Sequence, residues 1–210
     1  MVSIENVTVK YKKTVLNNVS IHADNGQCVG LLGLNGSGKS TLLSAIAGIK
    51  KIKSGKITCD GKVGFVTQEN ALIDELTAYD NLLMWTSMKK DEILKALDTP
   101  ELKILKVKDF LNVKVKNMSG GMKKKLALAS VIITKPNILL LDEPLAALDI
   151  PAKHDIVRFI DTFKADGGII FVSSHEEGIF AHCDKIYHLK NGEAIEIDKS
   201  GAVTEIISND

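Results

Sequence analysis

The sequence predicts an α/β fold: a mainly parallel sheet core, a smaller antiparallel β part beside it, and a helical insertion. Three observations carry this. A strand-like run, Gln27-Cys28-Val29-Gly30-Leu31-Leu32, feeds a glycine-rich loop, and helical periodicity follows from Ser40 to Ala47. After Gly121 helices and strands alternate, with a helix to Ile133, a strand at Asn137–Asp142, a helix at Ala152–Lys164 and a strand at Gly168–Val172. That alternation is the pattern of parallel strands joined by crossover helices. Between Ala71 and Asn117, apolar residues recur at helical spacing (Leu82, Leu83; Ile93, Leu94, Leu97; Leu102, Leu105), Thr99-Pro100 breaks the run, and strand signals vanish.

The remaining elements are read in chain order. Ser3–Lys10 and Val19–Ala23 alternate as strands. Gly55–Cys59 and Lys62–Val66 flank Asp60-Gly61, a two-residue hairpin signal, and a second such signal at Asn191-Gly192 closes the core. The expected organisation is a single domain over residues 1–210. Within it, 1–70 and 134–210 form the α/β core with its antiparallel part, and 71–133 form the helical insertion.

Composition narrows the function classes. Lysine plus arginine number 27 against 26 acidic residues, a formal charge of +1, so no overall field points to nucleic acid or an anionic membrane surface. Arg158 is the only arginine, which leaves almost no candidate for an arginine finger. Cys28, Cys59 and Cys183 are widely spaced and odd in number, as reduced and mostly buried thiols would be. The N-terminal residues alternate like a strand, without a signal peptide's apolar core. Apolar runs such as Ile138–Leu141 fall far short of the ~20 residues a membrane span needs.

The chemistry begins at Gly33-Leu34-Asn35-Gly36-Ser37-Gly38-Lys39-Ser40-Thr41. Gly33, Gly36 and Gly38 let the backbone turn its N–H groups inward, and the following helix N-terminus adds its dipole, which together make a polyphosphate site. Lys39 is placed for the β and γ phosphates, and the Ser40 hydroxyl for Mg²⁺. A second motif, Ile138-Leu139-Leu140-Leu141-Asp142-Glu143, sets two carboxylates at the C-terminal end of a doubly buried strand. Asp142 suits the metal shell, and Glu143 suits orienting or deprotonating an attacking water.

A third motif gives the chain a family likeness. Met118-Ser119-Gly120-Gly121-Met122 opens a helix, with Ser119 lying 23 residues before Asp142. With it, essentially the whole chain resembles the ATP-binding subunits of ABC transporters. The resemblance implies a P-loop NTPase (RecA-like) fold and an ATP hydrolase using ATP and Mg²⁺, with Gly33, Asn35, Gly36, Ser37, Gly38, Lys39, Ser40 and Thr41 holding nucleotide. Ser119 and the amides of Gly120 and Gly121 would reach the γ-phosphate bound by a second ATP-binding subunit. Tyr11, 22 residues before Gly33, would lie against adenine. Gln68 would touch Mg²⁺ and sense a transmembrane permease subunit. His175, after Ile169–Val172 and Ser173-Ser174, would bridge γ-phosphate, water and the opposite subunit. Asp149 would belong to the interface loop Ala146–Asp149, and it also reads as the N-cap of the helix at Pro151.

Two positions depart from the pattern, Met118 where the family has Leu and Met122 where it has Gln, and the latter removes a side-chain amide. The SGGM ending resembles the branches that export drugs, peptides or lipids. Lys123, Lys124 and Lys125 behind it read as a solvated helix face. Asn70-Ala71-Leu72-Ile73 is the candidate lining of a permease-docking groove. The expected location is the cytoplasmic face of the membrane, held peripherally through the permease, with no nucleic-acid partner. Two alternatives stand beside this reading: a soluble ABC-type ATPase acting on ribosome or DNA, and a regulator that binds nucleotide without hydrolysing it. Against the first, only 50 residues separate Gln68 from Ser119, too few for a long coiled coil, and one ATPase unit is present. Against the second stand Glu143 and His175 together.

Overall fold

A computed structural model describes residues 1–86 and 88–198; Ser87 and residues 199–210, the end of the segment expected at 134–210, lie outside the described residues. The chain runs β1 (Val2–Lys10), β2 (Thr14–Ala23), β3 (Cys28–Leu32), α1 (Lys39–Ile46), β4 (Ser54–Cys59), β5 (Val63–Val66), then α2 (Ala78–Thr86), α3 (Lys90–Ala96), α4 (Pro100–Leu105) and α5 (Gly120–Ile132). It closes with β6 (Ile138–Asp142), α6 (Ile150–Ala165), β7 (Ile169–Ser173), α7 (Glu177–Phe180), β8 (Lys185–Lys190) and β9 (Glu193–Ile197).

Two sheets form. The larger has the order β5-β6-β7-β3-β8-β9, parallel except for β9, and the smaller is antiparallel with the order β2-β1-β4. Strand β6 shows why the large sheet is buried on both faces. Ile138 and Leu140 pack with β1, β2 and α1, whereas Leu139 and Leu141 pack with the helices of the 78–165 stretch. The expected change of character is present: every element between β5 and β6 is helical.

Two turns separate the correct hairpin reading from the mistaken one. At Asn191-Gly192 both residues adopt positive φ, 53° and 82°, as a type I′ turn demands, and β8 pairs antiparallel with β9. This hairpin extends the large sheet rather than the small antiparallel one. At Asp60-Gly61 only Gly61 is left-handed, at φ 129°, and no hairpin forms. Instead β4 pairs with β1, Val2 opposite Cys59, while β5 crosses to pair parallel with β6, Val63 opposite Ile138. Asn137 captures the crossing chain by accepting from the Lys62 amide at 3.0 Å. Gly64 then lets α5 lie flat on β5, since a Cβ there would come within 2.5 Å of Val131. Strand β2 also starts earlier than its alternation indicated, at Thr14, because β1 pairs with it across several register shifts.

The three lysines of α5 do not form a solvated face. Lys123 stays near the surface, 3.2 Å from Asp74, but Lys124 is buried and Lys125 donates to the buried Asp155 at 2.5 Å. The physical reason is enclosure: β5 covers one side of α5, and α4 and α6 cover the other. Burial raises the Asp155 carboxyl pKa, but the Lys125 and Lys106 ammoniums outweigh it and hold the group below its ordinary range. Asp155→Asn should therefore cost about 3 kcal/mol of stability, read as a lowered thermal midpoint, since it leaves the mostly buried Lys125 without its counter-charge. The sign with pH follows. A depressed carboxyl pKa contributes stability above the unfolded value, which is lost as pH falls through the folded one. The gap between wild type and variant should narrow on acidification.

All three cysteines are free thiols among the described residues, with Cys28 and Cys183 buried and Cys59 partly so. No helix of the described residues is long and apolar enough to cross a membrane.

Candidate nucleotide site

The site is a consequence of strand order. β5, β6, β7 and β3 are neighbours in the sheet and run parallel, so the segments leaving their C-terminal ends meet at one edge. Those segments carry Gln68, Glu143, His175 and the glycine loop, the arrangement by which open α/β sheets bind ligands. A cavity of about 280 Å³ at this edge is lined by Asn35, Gly36, Gly38, Lys39, Ser40, Thr41, Gln68, Glu143 and His175.

The loop is built for close backbone approach. Gly33 has φ 150°, and a Cβ there would fall 2.4 Å from the Leu189 carbonyl oxygen. Gly38, at φ 112°, is the N-cap of α1, and a Cβ would strike Leu16 at 2.8 Å. Gly36 differs: at φ 85° its Cβ position meets no atom within 4 Å, so that side of the loop is open to a ligand. The Ser37 Oγ is buried without a hydrogen-bond partner. The Lys39 ammonium is buried at the loop's centre, donating to the Gly33 carbonyl at 2.6 Å and to that of Leu34 at 3.2 Å. Burial pushes its pKa below the ordinary lysine value, and the Glu143 and Asp142 carboxylates act against that shift. An open glycine, an unpartnered hydroxyl and a buried cation at a helix N-terminus fit a polyphosphate. The oxygen donors of Ser40, Gln68 and Asp142 are the hard ligands that suit Mg²⁺.

The two carboxylates behind the loop are held differently. Asp142 is buried, and its Oδ1 accepts from the Ser173 hydroxyl at 2.5 Å, the two residues facing each other across β6 and β7. The same Ser173 oxygen accepts from the Glu143 amide at 3.2 Å. Glu143 itself is left-handed at φ 48°, a backbone state that non-glycine residues occupy at a cost of about 1–2 kcal/mol. That turn aims its carboxylate into the cavity. His175 Nδ1 lies 2.9 Å from Glu143 Oε2 without the alignment of a hydrogen bond, and His175 is 63% exposed, so its ring can leave.

Other expected site residues lie elsewhere. Ser119, Gly120, Gly121 and Asp149 gather where α5 meets α6, and none lines the cavity. Ser119 caps α5, its Oγ accepting from the Met122 amide at 3.2 Å, and Asp149 caps α6, its Oδ1 accepting from the Ala152 amide at 2.8 Å. A Cβ on Gly121 would come within 2.7 Å of the Ala152 Cβ, so only glycine allows this junction. A Cβ on Gly120 would make only ordinary contacts, with the Ala147 carbonyl oxygen at 3.8 Å and Leu148 at 3.9 Å. Met122 is partly buried against the helical core. Tyr11 stands half-exposed in the turn between β1 and β2, with the Lys50 ammonium 5.3 Å from its ring centroid.

The sequence reading missed Ser173 and Lys124. Ser173 had a faint signal, a serine at a strand end two residues before His175. Its role becomes visible only once β7 is known to lie beside β6.

Comparison with known proteins places this geometry. The family model for the ABC transporter matches residues 16–146. The chain is 33% identical to the lantibiotic transport ATP-binding protein SrtF of Streptococcus pyogenes, over 100% of this chain and 96% of that protein. It is 32% identical to the linearmycin resistance ATP-binding protein LnrL of Bacillus subtilis, covering 99% of this chain and 71% of LnrL. Among solved structures, it is similar to a dimeric ATP-binding cassette in a post-hydrolysis state bound to ADP and Pi, at 30% identity and TM-score 0.84, over 96% of this chain and 100% of that one. With a phosphate loop, paired strand-end carboxylates and a serine–glycine helix start all present, the chain belongs to the ABC transporter family, as one of its ATP-hydrolysing ATP-binding subunits.

Proposed function

We propose that this chain powers export of an amphiphilic peptide, antibiotic or lipid-like solute through a separate permease, acting as a pair of ATP-binding subunits. The observation that carries the catalytic part is the meeting of Lys39, Ser40, Gln68, Glu143 and His175 around one cavity. Lys39 and the loop amides hold the β and γ phosphates of ATP. Glu143 accepts a proton from the water that attacks the γ-phosphorus, and His175 swings off Glu143 to steady the γ-phosphate. Bound by Ser40, Asp142 and Gln68, Mg²⁺ would neutralise charge on the phosphate oxygens. Ser173 keeps the Asp142 carboxylate oriented toward that role. The site of one protomer is completed by Ser119, Gly120 and Gly121 of a second ATP-binding subunit, identical or homologous, because on their own chain these residues line no part of the cavity. Tyr11 offers a ring for adenine, and Asp149 shapes the junction between the two subunits.

Export is supported by the likeness to SrtF and LnrL, whose names state lantibiotic transport and linearmycin resistance. Cells lacking this chain should become several-fold more sensitive to such amphiphilic antibiotics, and the wild-type chain, but not Glu143→Gln, should restore tolerance. Unchanged sensitivity across the panel would remove the export reading.

The chain then sits at the cytoplasmic face of the membrane through its permease, with residues 71–133 as one helical unit that grips it. A 310 Å³ groove supports the grip, with Asn70, Ala71 and Trp85 on its wall. Trp85 is 50% exposed and Ile73 is 38% exposed, whereas Leu72 is turned partly into the core. The contact is therefore assigned to Trp85 and Ile73 rather than Leu72. Trp85→Glu should abolish co-purification with the permease while leaving ATP hydrolysis by the isolated chain within about twofold, because a charge there disrupts an apolar contact and not the nucleotide cavity. Retained permease binding would refute the assignment.

A further inference from the structure

Among the described residues, Lys124 is the buried lysine that the proposed chemistry does not use. It stands in the second turn of α5, five residues after Ser119, at 4% exposure. Its ammonium donates to the Gln68 carbonyl at 3.0 Å and to the Thr67 carbonyl at 3.3 Å. These are the carbonyls at which the chain leaves β5 and turns into the cavity wall. The cost of burying an ammonium is met here by main-chain oxygens of the one loop that lines the nucleotide cavity from this side. Burial lowers the Lys124 pKa, and the Asp142 carboxylate acts against that shift, so the same group also lies within electrostatic reach of the metal-binding carboxylate. No hydrophobic residue of similar length offers those carbonyls a donor, and the Ser119–Gly121 turn stands at the head of the same helix.

We propose that Lys124 is a positioning residue that fastens the Gln68 loop to α5, so that the wall of one nucleotide site and the Ser119–Gly121 turn move as one body. In a dimer where that turn serves the other protomer's site, the consequence is communication. Nucleotide held at Gln68 on one side biases the placement of Ser119 on the other. This inference rests on the two-subunit arrangement proposed above and adds to it the element that links the two sites within each chain.

The full-length chain with Lys124→Met tests it, because Met keeps most of the unbranched apolar stem and removes the ammonium with its donors. Without nucleotide, amide hydrogen exchange of residues 67–71 should accelerate by about tenfold, since the loop loses its two anchoring bonds. With MgATP, kcat should fall by about tenfold while KM changes by less than about threefold, as for a group that orients a metal ligand rather than binding substrate. The Hill coefficient for ATP should drop to one. Lys124→Arg, which retains donors, should restore both exchange and kcat. A purely structural lysine would lower the thermal midpoint and leave the folded fraction's loop exchange, kcat and cooperativity unchanged; that result would overturn the proposal. Gln68→Ala separates the two levels of inference. If Gln68→Ala raises the Mg²⁺ concentration needed for half-maximal turnover but Lys124→Met has none of the effects above, the fastening role fails and the site assignment stands. If Gln68→Ala leaves Mg²⁺ dependence unchanged, the assignment of Gln68 fails and the role of Lys124 falls with it.

Discussion

Glu143→Gln should lower steady-state ATP hydrolysis by about a thousandfold while ATP still binds, measured as phosphate release alongside nucleotide affinity. The geometry separates those two quantities. Binding draws on the loop amides, the open face of Gly36 and the Lys39 ammonium, whose hydrogen bonds go to the Gly33 and Leu34 carbonyls rather than to Glu143. Hydrolysis needs an acceptor for the proton of the attacking water, and among the carboxylates near the loop only Glu143 lines the cavity, since Asp142 lies buried behind it and accepts from Ser173. Glutamine preserves size and the backbone turn at φ 48° but is not basic. Because the variant binds and does not turn over, it should also accumulate as a closed pair with ATP, visible as a doubled mass in solution. Wild-type turnover no faster than the variant's would make this chain a nucleotide-gated binder instead.

Much of this site was legible in the sequence, and the reason is physical. Glycines with positive φ, a lysine at a helix start and carboxylates closing an apolar strand are local requirements, so each leaves a local trace. The turn at Asn191-Gly192 and the Asp149 cap were readable for the same reason, since a type I′ turn and an N-cap are decided within four residues. What failed depended on distant partners. Asp60-Gly61 looks like a hairpin until Asn137, 75 residues on from Lys62, takes the chain to another sheet. Lys123, Lys124 and Lys125 look alike in sequence. Only the packing of β5, α4 and α6 around α5 sorts one to the surface, one to the Gln68 loop and one to Asp155. Ser173 is assigned by the sheet order alone.

The largest effect open to a qualitative test is recovery of activity by mixing two inactive chains. Ser119→Arg should abolish turnover in a homodimer, because a long cation in place of a small hydroxyl fills the turn proposed to approach the opposite phosphate. Glu143→Gln does the same from the other side of each site. In a mixed dimer, however, the site using Glu143 of the Ser119→Arg chain faces an intact Ser119 on the Glu143→Gln chain. One working site per mixed dimer follows, and the second site carries both defects. Random pairing should then return up to about a quarter of wild-type turnover from equal amounts of two dead proteins, given two-fold interfaces in which each patch serves the other copy. A folding explanation cannot mimic this. The loss of the Ser119 cap weakens α5 by about 1 kcal/mol in mixed and unmixed samples alike. Were the serine–glycine turn to act only on its own chain's nucleotide, every mixed dimer would stay as inactive as its parents, and the placement of Ser119, Gly120 and Gly121 away from the cavity would have no catalytic meaning.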